Sequence, residues 1–160
     1  MRYNLGLPIY RKRKFMTGSK PTPSDAEVVI KLYDLRRESV MRDARAWFLM
    51  KFWPKSAQDV ADVSNAFGTQ ENAYFRQIVS YWEMTASLAL RGAVDPDLLM
   101  DWSGEMVFFF AKVYPFLKEV REKVNPGFWL KVETIINQTN RQAALEAAVN
   151  RQKAMTAGAK

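Results

Sequence analysis

Three carboxylates, Asp97, Asp101 and Glu105, recur at intervals of four residues. In one continuous helix this spacing places them along a single face. Helical metal-dependent hydrolases use such sets because carboxylate oxygens are the ligands that Mg²⁺ prefers. A second acidic pair would have to face them, and the available pairs are Asp59 with Asp62 and Glu119 with Glu122. The simpler interpretation is that these acids favour a helix N-terminus and cover a solvated face.

The chain contains no cysteine and no histidine. Disulfides, thiolate nucleophiles and Cys/His zinc sites are therefore excluded, and the usual general base at neutral pH is missing. Any catalysis would depend on carboxylates, Lys, Tyr or Ser. We predict a non-enzymatic protein with no catalytic residue, no cofactor and no metal, apart from the three candidate ligands above.

Glu83 is a further candidate because it follows Trp82 at the edge of an apolar helical stripe. A half-buried carboxylate could act as a general base or hold a ligand, and burial would raise its pKa. Such residues more often form a structural ion pair. Four arginines are plausible partners: Arg37, Arg42, Arg45 and Arg76.

Phe108, Phe109 and Phe110 form an aromatic run. Neighbouring residues of a helix point about 100° apart, so three in a row cannot all face one side. Core packing explains most of the aromatic content, but at least one residue of this run, expected to be Phe108, should leave the core. It would then meet another subunit, a partner or a lipid surface. The run therefore predicts a homo-oligomer, with Phe108, Phe109 and Phe110 as its candidate interface residues.

The net charge of +7 lies in the two ends of the chain, since residues 21–137 have a net charge of −2. Residues 1–20 carry six basic residues and no acid. The cluster Arg11, Lys12, Arg13 and Lys14, flanked by aromatic residues, could bind an acidic protein, nucleic acid or an anionic membrane surface. It could equally be a solvated arm without a partner.

The elements that must position these residues are helices, because no strand-like alternation occurs. We predict an all-α antiparallel bundle of about five helices with a basic N-terminal arm. The arm is residues 1–23, the helical domain is residues 24–137, and an Ala- and Gln-rich helical tail covers residues 138–160, fraying after about Arg151.

The first helix is predicted over residues 25–52, opening on a capping box of Ser24 and Glu27. A shorter second helix follows, capped by Ser56, and Thr69 caps the third helix. The third helix ends at Gly92, and Asp95 caps the fourth, which Pro115 should kink or split. The fifth starts at Phe128.

The corner between the third and fourth helices carries a family resemblance. Its residues are Tyr81, Trp82 and Glu83, then Gly92, Val94 and Asp95, then Leu98, Leu99 and Trp102. Over residues 30–137 the chain resembles an uncharacterised bacterial family of all-helical domains of unknown function. The resemblance implies an all-α fold and supplies no activity. Five of these residues, Tyr81, Trp82, Glu83, Asp95 and Trp102, are our structural or ligand-contacting candidates.

No apolar window is long enough to span a membrane, and no export signal is evident, so we predict a cytoplasmic location. Our first functional prediction is a non-enzymatic helical interaction module that self-associates and offers its basic arm to acidic partners. The alternatives are a nucleic-acid-associated dimer and a Mg²⁺-dependent carboxylate hydrolase.

Overall fold

The computed structural model describes residues 20–157, and this part of the chain is all-helical, without a strand. The helices are α1 (Pro23–Arg37), α2 (Ser39–Met50), α3 (Ala57–Asn65), α4 (Gln70–Leu90), α5 (Pro96–Asp101), α6 (Gly104–Val113), α7 (Leu117–Lys123), α8 (Leu130–Gln138) and α9 (Gln142–Ala157), with a 3-10 turn at Tyr114–Phe116 between α6 and α7. The all-α prediction is confirmed. The antiparallel bundle stays a prediction.

The predicted helix over residues 25–52 is two helices. Glu38 has an extended conformation, with φ −58° and ψ 145°, and its Oε2 accepts the backbone N–H of Met41 at 3.0 Å. This bond lowers the pKa of Glu38 and caps the start of α2. The apolar spacing continues across the break, which is why periodicity alone missed it. α1 itself opens on a capping box of Thr22 and Asp25, not Ser24 and Glu27.

The predicted fourth helix is also divided. Pro115 lies in the 3-10 turn that separates α6 from α7, as the proline indicated. A second break, which the sequence did not reveal, falls at Trp102 and Ser103 between α5 and α6. The three breaks turn the five predicted helices into eight, and the helical tail is the ninth α-helix of residues 20–157.

The last two helices differ from expectation in their extent. α8 begins at Leu130, two residues later than predicted, after Trp129 adopts a left-handed conformation with φ 45°. α9 continues to Ala157, beyond the predicted fraying point, and packs on α6 with Leu145 and Gln152 buried. The tail therefore has more surface to bury than its composition indicated.

The core is aromatic and lies where α2, α4, α6 and α8 meet. Phe48 is its centre, with ring centroids 4.6 Å from Phe52 and Phe109, 6.3 Å from Phe75 and 6.1 Å from Trp129. Aromatic pairs at these separations stabilise a core beyond the area they bury. Among residues 20–157, no helix combines the length and apolar character needed to cross a bilayer.

Candidate functional site

A pocket of about 300 Å³ lies between α1, α4 and α5, and we call it the α1 pocket. Two other surface pockets of the described residues have volumes of about 300 and 370 Å³, so the lining of this one, not its size, distinguishes it. Its walls are almost entirely apolar and include Val29, Leu32, Trp82, Leu98 and Leu99. The pocket is therefore the best-formed candidate binding site in the described part of the chain.

The mouth of the α1 pocket is ringed by exposed apolar side chains. Ile30 and Tyr33 of α1 are 61% and 50% exposed, and Trp102, just after α5, is 64% exposed. An exposed apolar group next to a cavity marks an interaction surface more strongly than scattered single residues do. Pocket and rim together form one continuous apolar surface.

α1 covers this pocket with little packing of its own, since Leu32 is its one buried residue. Polar contacts hold it at several points. Asp25 Oδ1 accepts the backbone N–H of Asp95 at 2.7 Å, and the Tyr81 hydroxyl donates to the carbonyl of Leu32 at 2.8 Å. Burial raises the pKa of Tyr81 to about 12, so the hydroxyl stays protonated and keeps donating.

The corner predicted from sequence positions the α5 wall. Gly92 has φ 78°, the left-handed conformation that ends α4, and the Asp95 carboxylate accepts the Leu98 N–H at 2.8 Å to start α5. Four of the five candidates at this corner meet at the pocket: Tyr81, Trp82 and Trp102 line it, and Asp95 caps its helix.

Three buried polar atoms of residues that line the pocket have no hydrogen-bond partner: Arg36 Nε, Trp82 Nε1 and Thr85 Oγ1. The Thr85 side chain lies close enough to the Tyr81 hydroxyl to lower its pKa slightly, but not in hydrogen-bonding geometry. Nearly all buried polar groups in folded proteins are paired. The three atoms have almost no accessible surface, so they lie within the pocket walls and are not exposed to its open space.

An ion-pair cluster of Arg36, Arg45 and Glu105 lies beside the pocket. Arg45 donates to the Glu105 carboxylate through Nε at 2.7 Å and through Nη2 at 2.6 Å. Arg36 Nη2 lies 3.2 Å from the same carboxylate. The carboxylate raises the pKa of Arg45. Two guanidinium groups thus share one carboxylate, and of these three residues only Arg36 lines the pocket.

The proposed carboxylate set is not brought together. α5 ends at Asp101, so Glu105 lies in the next helix and the spacing of four no longer defines one face. Asp97 is exposed, Asp101 pairs with Arg141 at 3.1 Å, and Glu105 binds the two arginines. No cluster of three or more acidic groups suited to a metal occurs in residues 20–157.

Glu83 forms the expected ion pair, but with a different partner. Its Oε1 lies 3.2 Å from Lys131 Nζ, and none of the four arginines considered is its partner. Its two oxygens also accept the backbone N–H groups of Lys131 and Val132 at 3.1 and 3.3 Å. Because α8 has no capping side chain of its own, Glu83 supplies that cap from α4.

The phenylalanine run is mostly internal. Phe109 and Phe110 are fully buried, so they are core residues and not interface residues as we had expected. Phe108 is half-buried, edge-on to Trp53 at 6.5 Å, and its carbonyl accepts a hydrogen bond from Gln152 of α9 at 2.8 Å. α9 therefore covers much of the face that the sequence left free.

Lys112 was missed by the sequence analysis. It is 4% exposed, and its ammonium donates to the carbonyls of Phe48, Leu49 and Phe52 at 2.6, 2.9 and 2.9 Å. Its Nζ also lies 3.5 Å from the centre of the Trp53 ring. Burial lowers the pKa of Lys112 to about 7. The sequence offered one signal of this burial, a lysine within the apolar face of a helix.

The basic cluster Arg11, Lys12, Arg13 and Lys14 lies outside the described residues. Its predicted contacts with an acidic protein, nucleic acid or an anionic membrane surface therefore stay predictions.

Fold and site define an all-helical domain whose first helix covers an apolar pocket. The chain belongs to the family described as Domain of unknown function (DUF4760), whose model matches residues 21–139. The resemblance found at the corner is thereby confirmed. No curated protein and no solved structure matches the chain. The matched segment contains α1 to α8 and the whole α1 pocket, whereas α9 lies beyond it.

Proposed function

We propose that this protein is a non-enzymatic helical interaction module that binds a small, largely apolar molecule in the α1 pocket. The observation that carries the proposal is the apolar cavity of about 300 Å³ with an exposed rim of Ile30, Tyr33 and Trp102. Binding requires only such a surface, and the described residues hold no cluster of three or more acidic groups suited to a metal ion.

The expected affinity follows from the apolar walls. A ligand that buries about 200 Å² of apolar surface gains roughly 5 kcal/mol. Without ordering costs this gain corresponds to a Kd of about 0.2 mM, so a purely apolar ligand of this size should bind no more tightly than that. Tighter binding would need a ligand that buries more apolar surface.

The direct test is a titration of the full chain with phenylnaphthylamine, an uncharged dye that fluoresces in apolar surroundings. We expect one saturable site. Val29→Trp should abolish it, because Val29 lines the pocket and the larger ring would occupy the cavity. Leu98→Trp should do the same from the opposite wall.

Val40→Trp is the matched control, since Val40 is 52% exposed on α2 and does not line the pocket. It should bind the dye as the unmodified chain does. Circular dichroism would confirm that all three variants are folded. The proposal is wrong if the dye does not saturate, or if the folded filling variants and the control bind it equally.

Self-association is a second proposal, supported by the remaining exposed surface of Phe108 and by the apolar rim around Trp102. Light scattering on the full chain and on a variant lacking residues 1–20, each at low and high salt, tests it. If both chains form the same oligomer at low and high salt, the result supports association through the helices. The basic arm would then be available to acidic partners in the cytoplasm. If both chains are monomeric, the proposal of self-association is wrong.

The two alternatives predicted from sequence gain no support from the described residues. A nucleic-acid-associated protein would require salt-sensitive binding that is lost with residues 1–20. A carboxylate hydrolase would require a second acidic group facing the first, and Glu105 is instead neutralised by arginines.

A further inference from the structure

We infer that the α1 pocket is occupied by the chain's own apolar segment, residues 5–10, which covers the site and competes with any other ligand. The segment reads Leu-Gly-Leu-Pro-Ile-Tyr and directly precedes the basic cluster Arg11 to Lys14. It lies outside the described residues. This inference rests on the proposed function, because it concerns the regulation of the same pocket.

The first argument is the reach of the chain. The described residues begin at Lys20, and Ala26 of the pocket wall follows six positions later, in the first turn of α1. Tyr10 lies ten positions before Lys20, and an extended chain of that length spans up to about 33 Å. α1 has 15 residues and is about 22 Å long. The 5–10 segment can therefore reach every part of the pocket.

The second argument is the chemical match between the segment and the pocket. The pocket walls are almost entirely apolar, and the rim exposes Ile30, Tyr33 and Trp102. The 5–10 segment has no charged side chain, and the Tyr10 hydroxyl is its one polar side-chain group. Pro8 reduces the entropy that the segment loses on binding, because its φ is already fixed. The segment can therefore bury apolar side chains without placing a charge in the cavity.

The third argument is charge at the entrance. The N-terminal ends of α1 and α5 meet where Asp25 Oδ1 accepts the backbone N–H of Asp95. Residues 20–31 and 93–98, which lead into and begin these two helices, carry four acids and two bases. Because the chain must return from the pocket to Lys20, the basic cluster passes this acidic end. The cluster therefore favours the bound state, and high salt should weaken it.

Tethering makes a weak contact sufficient. A free apolar ligand of the size considered above should bind no more tightly than about 0.2 mM. A tether of about ten residues supplies an effective concentration on the order of 1 mM, so a segment that binds at this limit fills the pocket in about five of six molecules. A competing ligand should then bind about sixfold more weakly than it would to a chain without the segment.

The first experiment is the phenylnaphthylamine titration of the full chain and of the chain lacking residues 1–20. The deletion should lower the apparent Kd of the dye about sixfold. In the full chain, Leu7→Asp combined with Ile9→Asp should have the same effect, because a charged side chain is costly to bury in an apolar pocket. Thr17→Asp combined with Ser19→Asp is the matched control, since it changes the charge equally outside the segment. The control should bind the dye as the full chain does.

A spin label locates the segment directly. The chain has no cysteine, so Asn4→Cys provides a single attachment point next to the segment. In the full chain enriched with ¹⁵N, the nitroxide should broaden the amide signals of Val29 and Leu98, which line the pocket. It should broaden that of Glu119 much less, because α7 packs on α3 and does not line the pocket. A mixture of spin-labelled chain without ¹⁵N and unlabelled chain with ¹⁵N should show no broadening.

The outcomes distinguish this inference from the proposed function. Equal dye affinities for the full and the shortened chain, or no broadening at Val29 and Leu98, would overturn the inference and leave the pocket a binding site. Broadening in the mixture would also overturn it, because the segment would then lie in the pocket of a second copy. If the shortened chain does not bind the dye at all, the proposed function itself fails.

Discussion

Of two buried hydroxyl groups near the α1 pocket, one has a hydrogen-bond partner and the other has none. Ser103 Oγ donates to the carbonyl of Leu99 at 2.7 Å, whereas Thr85 Oγ1 has no partner. Thr85→Val keeps the shape and removes the unpaired group. It should leave the free energy of unfolding unchanged or raise it by about 1 kcal/mol, while Ser103→Ala should lower it by about 1 kcal/mol.

Urea denaturation of the free protein measures both changes. Equal destabilisation by the two substitutions would show that Thr85 has a partner in solution, the nearby Tyr81 hydroxyl being the candidate.

Lys112 provides a prediction at the same scale, because no carboxylate is paired with its ammonium group in the described residues. Lys112→Met removes the donor that three backbone carbonyls share at the end of α2. We expect the free energy of unfolding to fall by about 2 kcal/mol, since buried acceptors lose their partner.

The contribution of Lys112 to the free energy of unfolding should depend on pH. Burial lowers its pKa from 10.5 to about 7, so between these values the unfolded chain binds more protons than the folded one. Stability therefore rises with pH across this window, and the Lys112 contribution is largest above it. The difference in unfolding free energy between the unmodified chain and Lys112→Met should be larger near pH 10 than near pH 7.

Urea denaturation of the unmodified chain and of Lys112→Met between about pH 7 and pH 10 shows whether this difference grows with pH. Taking the difference between the two chains removes the effect of other titrating groups. A constant difference would mean that the three carbonyls keep Lys112 protonated despite burial.

At the scale of elements, α8 depends on a cap supplied by another helix. Glu83 accepts the N–H groups of Lys131 and Val132 and pairs with Lys131 Nζ. Glu83→Ala should lower the free energy of unfolding by about 2 kcal/mol, because bonds to a charged acceptor contribute about 1.5 to 3 kcal/mol. Hydrogen exchange should show faster exchange at the amides of Lys131 and Val132.

Glu119→Ala is the control for this prediction, since Glu119 is an exposed acid in the first turn of α7. It should change neither stability nor exchange appreciably. Unaltered exchange at the start of α8 in Glu83→Ala would refute the capping role and leave only a surface ion pair.

At the scale of the whole molecule, α9 completes the core although it lies beyond the family match. It packs on α6 and buries Leu145, which is 3% exposed. Leu145→Ala should lower the free energy of unfolding by about 3 kcal/mol, as expected for a large-to-small change in a core. Deleting residues 142–160 should uncover Phe108 and promote association.

Thermal unfolding and light scattering of these variants test the role of α9, with Glu146→Gln on the exposed side of the same helix as the control. A deletion variant that stays monomeric and as stable as the full chain would show that α9 is dispensable for the fold.

Local interactions were predictable from the sequence. The left-handed Gly92, the caps at Ser56, Thr69 and Asp95, and the interruption at Pro115 each depend on residues a few positions apart. For that reason the all-α class and the corner that carries the family resemblance were both found without a structure.

Only the tertiary structure decided what the helices form together. Asp25 meets Asp95 and Arg36 meets Trp102 across 70 and 66 positions, and these contacts join the two sides of the α1 pocket. The partner of Glu83 and the burial of Lys112 likewise depend on which helix lies alongside. The sequence determines which side chains each helix presents, but whether a donor such as Trp82 Nε1 is paired depends on neighbours that only folding brings near.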